Sequence, residues 1–212
     1  MRTAMSALLS TSTVALRMAS MSTSTAAFRA TGRMVADQRL GAVQMLSGLT
    51  PDASVDATLL QFSELPISDA LKKIVAAMGL TTATPVQTAS MPPLLAGKDV
   101  VAKARTGTGK TVAFLLPTLQ RLGTTERTGK GQIRALVLSP TRELASQIEE
   151  ECQQLMTFHK PHLSARVVYG GTNVKADVRD LKAANTPSLV VATPGRLNDL
   201  LYNYGIDALS NP

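Results

Sequence analysis

The sequence predicts an α/β fold: a parallel sheet covered by helices on both faces. Three observations carry this prediction. The apolar runs Val100–Ala102, Ala135–Ser139, Ala165–Tyr169 and Ser188–Ala192 lack the polar alternation of a strand wetted on one side, so both of their faces are buried. Stretches with apolar residues at helical spacing separate them, the pattern of repeated strand–helix units. The first such junction is a glycine turn that enters a helix at a lysine.

Each element has its own signal. The folded part begins near Phe62-Ser63-Glu64-Leu65, and Ser68 or Asp69 caps a helix with Leu71, Ile74, Val75 and Met78 on one face, ended by Gly79. Thr84 before Pro85 reads as an N-cap followed by proline in the first turn, opening a second helix through Leu94-Leu95. Gly97-Lys98-Asp99 turns into the strand at Val100. After the glycine turn a helix runs to about Leu122, then a polar loop spans Gly123 to Gly131. Helices follow from Glu143 to about Phe158, over 174–184, and from Arg196 to about Tyr202, alternating with the remaining strands.

Composition bounds the class. The chain has 212 residues, enough for one domain with an appendage or two small domains. Apolar residues make up 44%, yet none of its stretches of about 18 residues is free of polar breaks, so no membrane partner is expected. Cys152 is the single cysteine, which excludes internal disulfides and cysteine metal sites. Ile148, Leu155 and Met156 flank it at helical spacing, so a buried thiol is expected. His159 and His162 have no partner cluster and receive no role.

The net charge of +7 says little about nucleic acid. Residues 1–36 hold Arg2, Arg17, Arg29 and Arg33 and no acid, which leaves +3 for the other 176 residues. That segment, rich in Ser, Thr, Ala and Met, has the composition of an organelle transit peptide, mitochondrial first and plastid second. The alternatives are a disordered tail, or translation from Met21 or Met34 and a cytosolic protein. Residues 37–61 read as a linker, and 62–212 as the folded domain.

The turn Ala104-Arg105-Thr106-Gly107-Thr108-Gly109-Lys110-Thr111 is laid out as a phosphate-binding loop. Its glycines let several backbone N–H groups point at one centre, where the helix N-terminus adds partial positive charge. Lys110 would reach β- and γ-phosphates, and the Thr111 hydroxyl would sit on Mg²⁺. A flexible Gly/Thr turn with a chance lysine is the plain alternative. The general pattern starts with Gly where this chain has Ala104.

With that loop in place, residues 62–205 closely resemble the DEAD-box ATP-dependent RNA helicases. Ala104–Thr111 resembles their motif I, alanine included; Thr84-Pro85-Val86-Gln87, with Phe62 upstream, the Q motif; and Pro140-Thr141-Arg142-Glu143-Leu144-Ala145, motif Ia. Gly170-Gly171 resembles the GG motif and Thr193-Pro194-Gly195-Arg196 motif Ib, all in family order. The resemblance implies an incomplete RecA-like P-loop domain that binds ATP, Mg²⁺ and RNA. It implies that Gln87 pairs with adenine and selects ATP over GTP, with Phe62 stacked on or packed against the base. It assigns RNA-backbone contacts, which carry no sequence preference, to Thr141, Arg142, Gly170, Gly171, Thr193, Gly195 and Arg196. Arg142 could equally pair with a carboxylate, Glu143 serve the helix start, Gln87 be an ordinary helix residue and Phe62 a core residue.

The departures matter too. The 212 residues contain no Asp-Glu dipeptide and no Ser-Ala-Thr, so the acidic motif II is absent and no catalytic residue is assigned. The expectation is a helicase by family whose given chain is a fragment, inactive alone. A non-enzymatic nucleotide- or RNA-binding product is the alternative. A P-loop kinase is disfavoured by Gln87 and Thr193–Arg196.

Overall fold

The computed structural model describes residues 59–125, 133–157, 163–183 and 186–206, together with the backbone of residues 11–16. The linker residues 37–58, His159, His162, and the helix ends expected at Phe158 and Ala184 lie outside the described residues. The chain divides into two compact units, one drawn from residues 1–60 and 83–114 and the other from 61–82 and 115–212.

In the first unit, α2 (Pro85–Leu95) leads to β2 (Val100–Arg105), which feeds α3 (Lys110–Thr124). Thr84 is the N-cap of α2 and Pro85 its first residue, as its sequence signals require. Gln87 Oε1, three residues into the helix, reaches back to accept the Thr84 N–H at 2.8 Å. Gly97, at φ 76°, closes the helix and donates its N–H to the Leu94 carbonyl at 2.9 Å. α2 packs on β2.

β2 departs from the expected parallel arrangement. It pairs antiparallel with β1 (Thr11–Leu16), Thr11 opposite Arg105 and Leu16 opposite Val100. The sequence suggested no strand there, because residues 1–36 read as an address or tail. Thr-Ser-Thr-Val-Ala-Leu does contain three β-branched residues, and a strand edge accepts any segment that can satisfy its N–H and C=O groups.

The second unit holds the parallel sheet. A 3₁₀ turn (Phe62–Glu64) precedes α1 (Asp69–Ala77), whose N-cap is Ser68: its Oγ accepts the Leu71 N–H at 3.4 Å. Leu71, Ile74 and Val75 are buried, as their spacing predicts. β3 (Ala135–Leu138), β4 (Ala165–Val168) and β5 (Leu189–Ala192) run parallel in the order β3-β5-β4. They alternate with α4 (Arg142–Leu155), α5 (Val174–Lys182) and α6 (Pro194–Tyr204). All four residues of central β5 are buried, so both sheet faces are covered there. Leu181 of α5 and Leu200 of α6 join Val168, Val190 and Ala192 in one core, while α4 packs against β4 and β5.

β3 is less buried than its apolar sequence suggests. Leu136 and Leu138 are 36% and 56% exposed, while Val137 between them is buried. As an edge strand, β3 carries one open face among the described residues. No helix among the described residues is long and apolar enough to cross a membrane.

Cys152 is fully buried in α4, and its thiol is pushed up to about 12 by loss of solvation first and by nearby Glu149 second. A raised thiol value stabilises the folded state below the ordinary value of 9.0, a contribution lost as pH rises towards about 12. Folded protein at pH 8 is therefore expected to resist iodoacetamide until denaturant is added. Rapid alkylation of the native chain, followed by mass spectrometry, would contradict the packing of α4.

Candidate nucleotide and nucleic-acid sites

The turn Ala104–Thr111, expected to bind phosphate, lies wholly in the first unit. Gly107 and Gly109 have φ of 77° and 78°, a left-handed conformation that side chains rarely adopt. Lys110 opens α3, so the loop ends at a helix N-terminus. The Lys110 ammonium folds back into the loop, donating to the Ala104 carbonyl at 2.8 Å and to the Arg105 carbonyl. Partial burial holds its pKa below the usual lysine value. An anion reaching this cation would have to compete with two carbonyl oxygens. Thr108 Oγ1 donates to the Arg105 carbonyl at 2.8 Å and tightens the same turn. Arg105 and Thr106 are exposed, and Thr111 is half-buried at the start of α3.

Gln87 is brought to this loop from α2. Its Nε2 donates to the Gly109 carbonyl at 3.0 Å while Oε1 accepts from the Thr84 N–H, so both ends of the amide have backbone partners. The Thr84 hydroxyl donates to the Thr108 carbonyl at 2.9 Å. The same capping pair therefore starts α2 and holds two consecutive loop carbonyls. Sequence reasoning saw Thr84 as a cap and as part of the Q-motif resemblance; nothing local signals a partner 24 residues away. Phe62 belongs to the second unit and is 2% exposed, the setting of a core ring.

The residues assigned to RNA gather at one edge of the parallel sheet. Thr141 and Arg142 follow β3, Gly170 and Gly171 follow β4, and Thr193 to Arg196 follow β5, all beyond carboxyl ends, where parallel sheets bind ligands. Thr141 is the N-cap of α4 and accepts the Leu144 N–H at 3.2 Å. Thr193 is the N-cap of α6 and ties to β4 through its N–H on the Val168 carbonyl, 3.1 Å. Gly195 is exposed, with open space where a Cβ would point.

Arg142 and the glycine pair meet directly. A Cβ on Gly171, whose φ is 91°, would lie 2.5 Å from Arg142 Nη1. Only a glycine lets this exposed guanidinium lie across the turn. Arg196 is different: it is 7% exposed and turned inward. Its Nε donates to the Tyr169 carbonyl at 3.1 Å, and its Nη2 to the Thr172 carbonyl and hydroxyl at 2.7 and 3.1 Å. Asp177 Oδ2 stands 3.6 Å from Nε and Asp199 Oδ2 3.7 Å from Nη1. Burial raises the Asp177 carboxyl pKa, and Arg196 pulls it back down. Asp177 carries no sequence signal; its importance is visible only through Arg196.

The DEAD/DEAH box helicase profile matches residues 84–211, more than half of the sequence. The chain belongs to this helicase family. Among relatives, "DEAD-box ATP-dependent RNA helicase 26" of Oryza sativa is 44% identical over 143 residues, covering 68% of this chain and 26% of that protein. "ATP-dependent RNA helicase CshA" of Limosilactobacillus reuteri is 43% identical over 140 residues, covering 66% of this chain and 27% of that one. The helicase chain thus spans about a quarter of the length of these curated relatives. A crystal structure of a hypothetical ATP-dependent RNA helicase from Sulfolobus tokodaii matches with TM-score 0.55 and 34% identity, over 66% of this chain and 38% of that one. The RecA-like expectation for the helicase-family sheet agrees with that neighbour.

Proposed function

We propose that this chain supplies the N-terminal ATP- and RNA-binding part of an ATP-dependent RNA helicase. The observation that carries the reading is the phosphate loop: two left-handed glycines, Lys110 at the head of α3, and the Thr84–Gln87 pair gripping the loop from α2. Backbone N–H groups of Gly107 to Thr111 and the Lys110 ammonium would hold the phosphates of ATP. Mg²⁺ would sit between those phosphates and the Thr111 hydroxyl. An Mg²⁺ ion bound with nucleotide phosphates usually keeps several waters and takes only one or two protein ligands, and Thr111 would be such a ligand. RNA would lie along the carboxyl edge of the parallel sheet, where the N-termini of α4 and α6 and the Arg142 guanidinium favour phosphate over any particular base.

The 212 residues contain no Asp-Glu dipeptide that would hold Mg²⁺ and orient an attacking water. Binding without turnover is therefore the second reading, for this polypeptide alone.

Gln87→Ala tests the adenine assignment. The substitution removes both a base-reading amide and the prop beneath Gly109. A pure prop would lower ATP and GTP affinity equally. If Gln87 reads adenine, the ATP preference is expected to narrow by about tenfold or more, the discrimination of one bidentate pair. Titration with fluorescent ATP and GTP analogues separates the outcomes; an unchanged ratio defeats the adenine role and leaves the prop.

Residues 1–36 are proposed as an organelle address. Fused to a fluorescent protein, they are expected to direct it to mitochondria or, second, a plastid. A diffuse cytosolic signal would return translation from Met34 as the simpler account.

A further inference from the structure

We infer that Arg196 is a positioning residue, an internal brace that sets the Gly170-Gly171 turn for RNA from behind and does not itself neutralise a phosphate. The inference rests on the proposed RNA-binding role of that turn. Its basis is where the guanidinium points. Tyr169 and Thr172 bracket the two glycines, and Arg196 holds the carbonyl of each, at 3.1 and 2.7 Å. The planar fork of an arginine can grip both at once; a lysine ammonium offers no such fixed geometry. The buried cation already faces the carboxylates of Asp177 and Asp199. A phosphate would have to displace them from a buried guanidinium, against the repulsion of buried Asp177 and of Asp199 at the rim.

Arg142 occupies the complementary position. It is exposed, lies over Gly171, and can release its charge to a ligand. The turn is thus clasped from two sides by arginines with separate tasks. One shapes the backbone, and the other meets the strand.

Salt dependence tells the two tasks apart. For a single strand, each phosphate neutralised contributes a slope of about 0.7 to the fall of log affinity with log salt. Single-stranded RNA affinity of the full chain would be measured across a salt series for the parent, Arg142→Ala, Arg196→Lys and Arg196→Gln. Arg142→Ala is expected to flatten the slope by about 0.7. Both Arg196 variants should lose about tenfold in affinity through the distorted turn, with the parent's slope retained, because bonds to a charged donor are lost without any ionic contact to RNA. A flattened slope in Arg196→Gln, or parental affinity in Arg196→Lys, would overturn the brace.

A second measurement does without RNA. In the free protein, amide hydrogen exchange at Gly170 to Asn173 should speed up about tenfold or more in Arg196→Lys. A phosphate-contact residue would leave that exchange unchanged. Failure of the parent to bind RNA would sink the RNA reading alone, since the exchange result still decides the brace. Arg196→Gln keeps an amide donor for one carbonyl, so it serves in the same assay if Arg196→Lys does not fold.

Discussion

Lys110→Ala is expected to abolish ATP turnover by a full-length protein carrying this chain and to weaken ATP binding severely. The ammonium is positioned at the loop by its own fold, donating to the Ala104 and Arg105 carbonyls until phosphate claims it. Once phosphate covers the loop, the lysine becomes one partner of a desolvated charge pair, and truncating such a partner costs about 2–5 kcal/mol. That corresponds to a loss of roughly thirtyfold to several thousandfold. The fold should survive, because the two carbonyls left behind belong to half-buried and exposed residues that water can reach. Calorimetric ATP titration beside a thermal melt reads both effects. An alanine variant with normal turnover would remove Ala104–Thr111 from the chemistry altogether.

The second large effect is expected from Gly109→Ala, with Gly107→Ala as its control. Both positions are left-handed, at φ 78° and 77°, so each substitution carries a backbone cost of about 1–2 kcal/mol. Their surroundings differ. A Cβ on Gly107 meets open space, whereas on Gly109 it falls 2.4 Å from Gln87 Nε2. The glutamine end can swing away, but it then forfeits its bonds to the Gly109 carbonyl and the Thr84 N–H, at about 1 kcal/mol each. Gly109→Ala should therefore lose up to about thirtyfold more ATP affinity than Gly107→Ala, and lower the unfolding midpoint further. Equal losses would show that Gln87 does not support the loop.

Much of this was legible in the chain because it is local. Thr84, Pro85 and Gln87 spell a helix start within four residues, and Gly107 to Lys110 spell a glycine turn that enters a helix. The strand–helix alternation follows from runs such as Leu189–Ala192, whose unbroken apolarity leaves no wet face. What stayed hidden is relational. The Gln87 side chain is committed to Gly109, 22 residues on. Arg196 sits in a motif whose resemblance points it at RNA, yet its partners Tyr169, Thr172 and Asp177 turn it inward. The exposure of Leu136 and Leu138 likewise depends on what packs over that face of β3, and four apolar letters do not specify that.

The pairing of β1 with β2 sets a clock. Residues 11–16 lie inside the segment proposed as an organelle address, and the same six residues are zipped along the strand that delivers the phosphate loop. A segment locked in a ladder is not at the same time free to be read as an address. If residues 1–36 are an address, recognition would have to outrun folding, or a chaperone would have to keep the ladder open. Removal of the address after arrival would also strip β2 of its neighbour and bare a row of N–H and C=O groups. Maturation would thus act on the nucleotide-binding sheet as well as on the leader, trading an intramolecular strand for whatever strand next meets that edge.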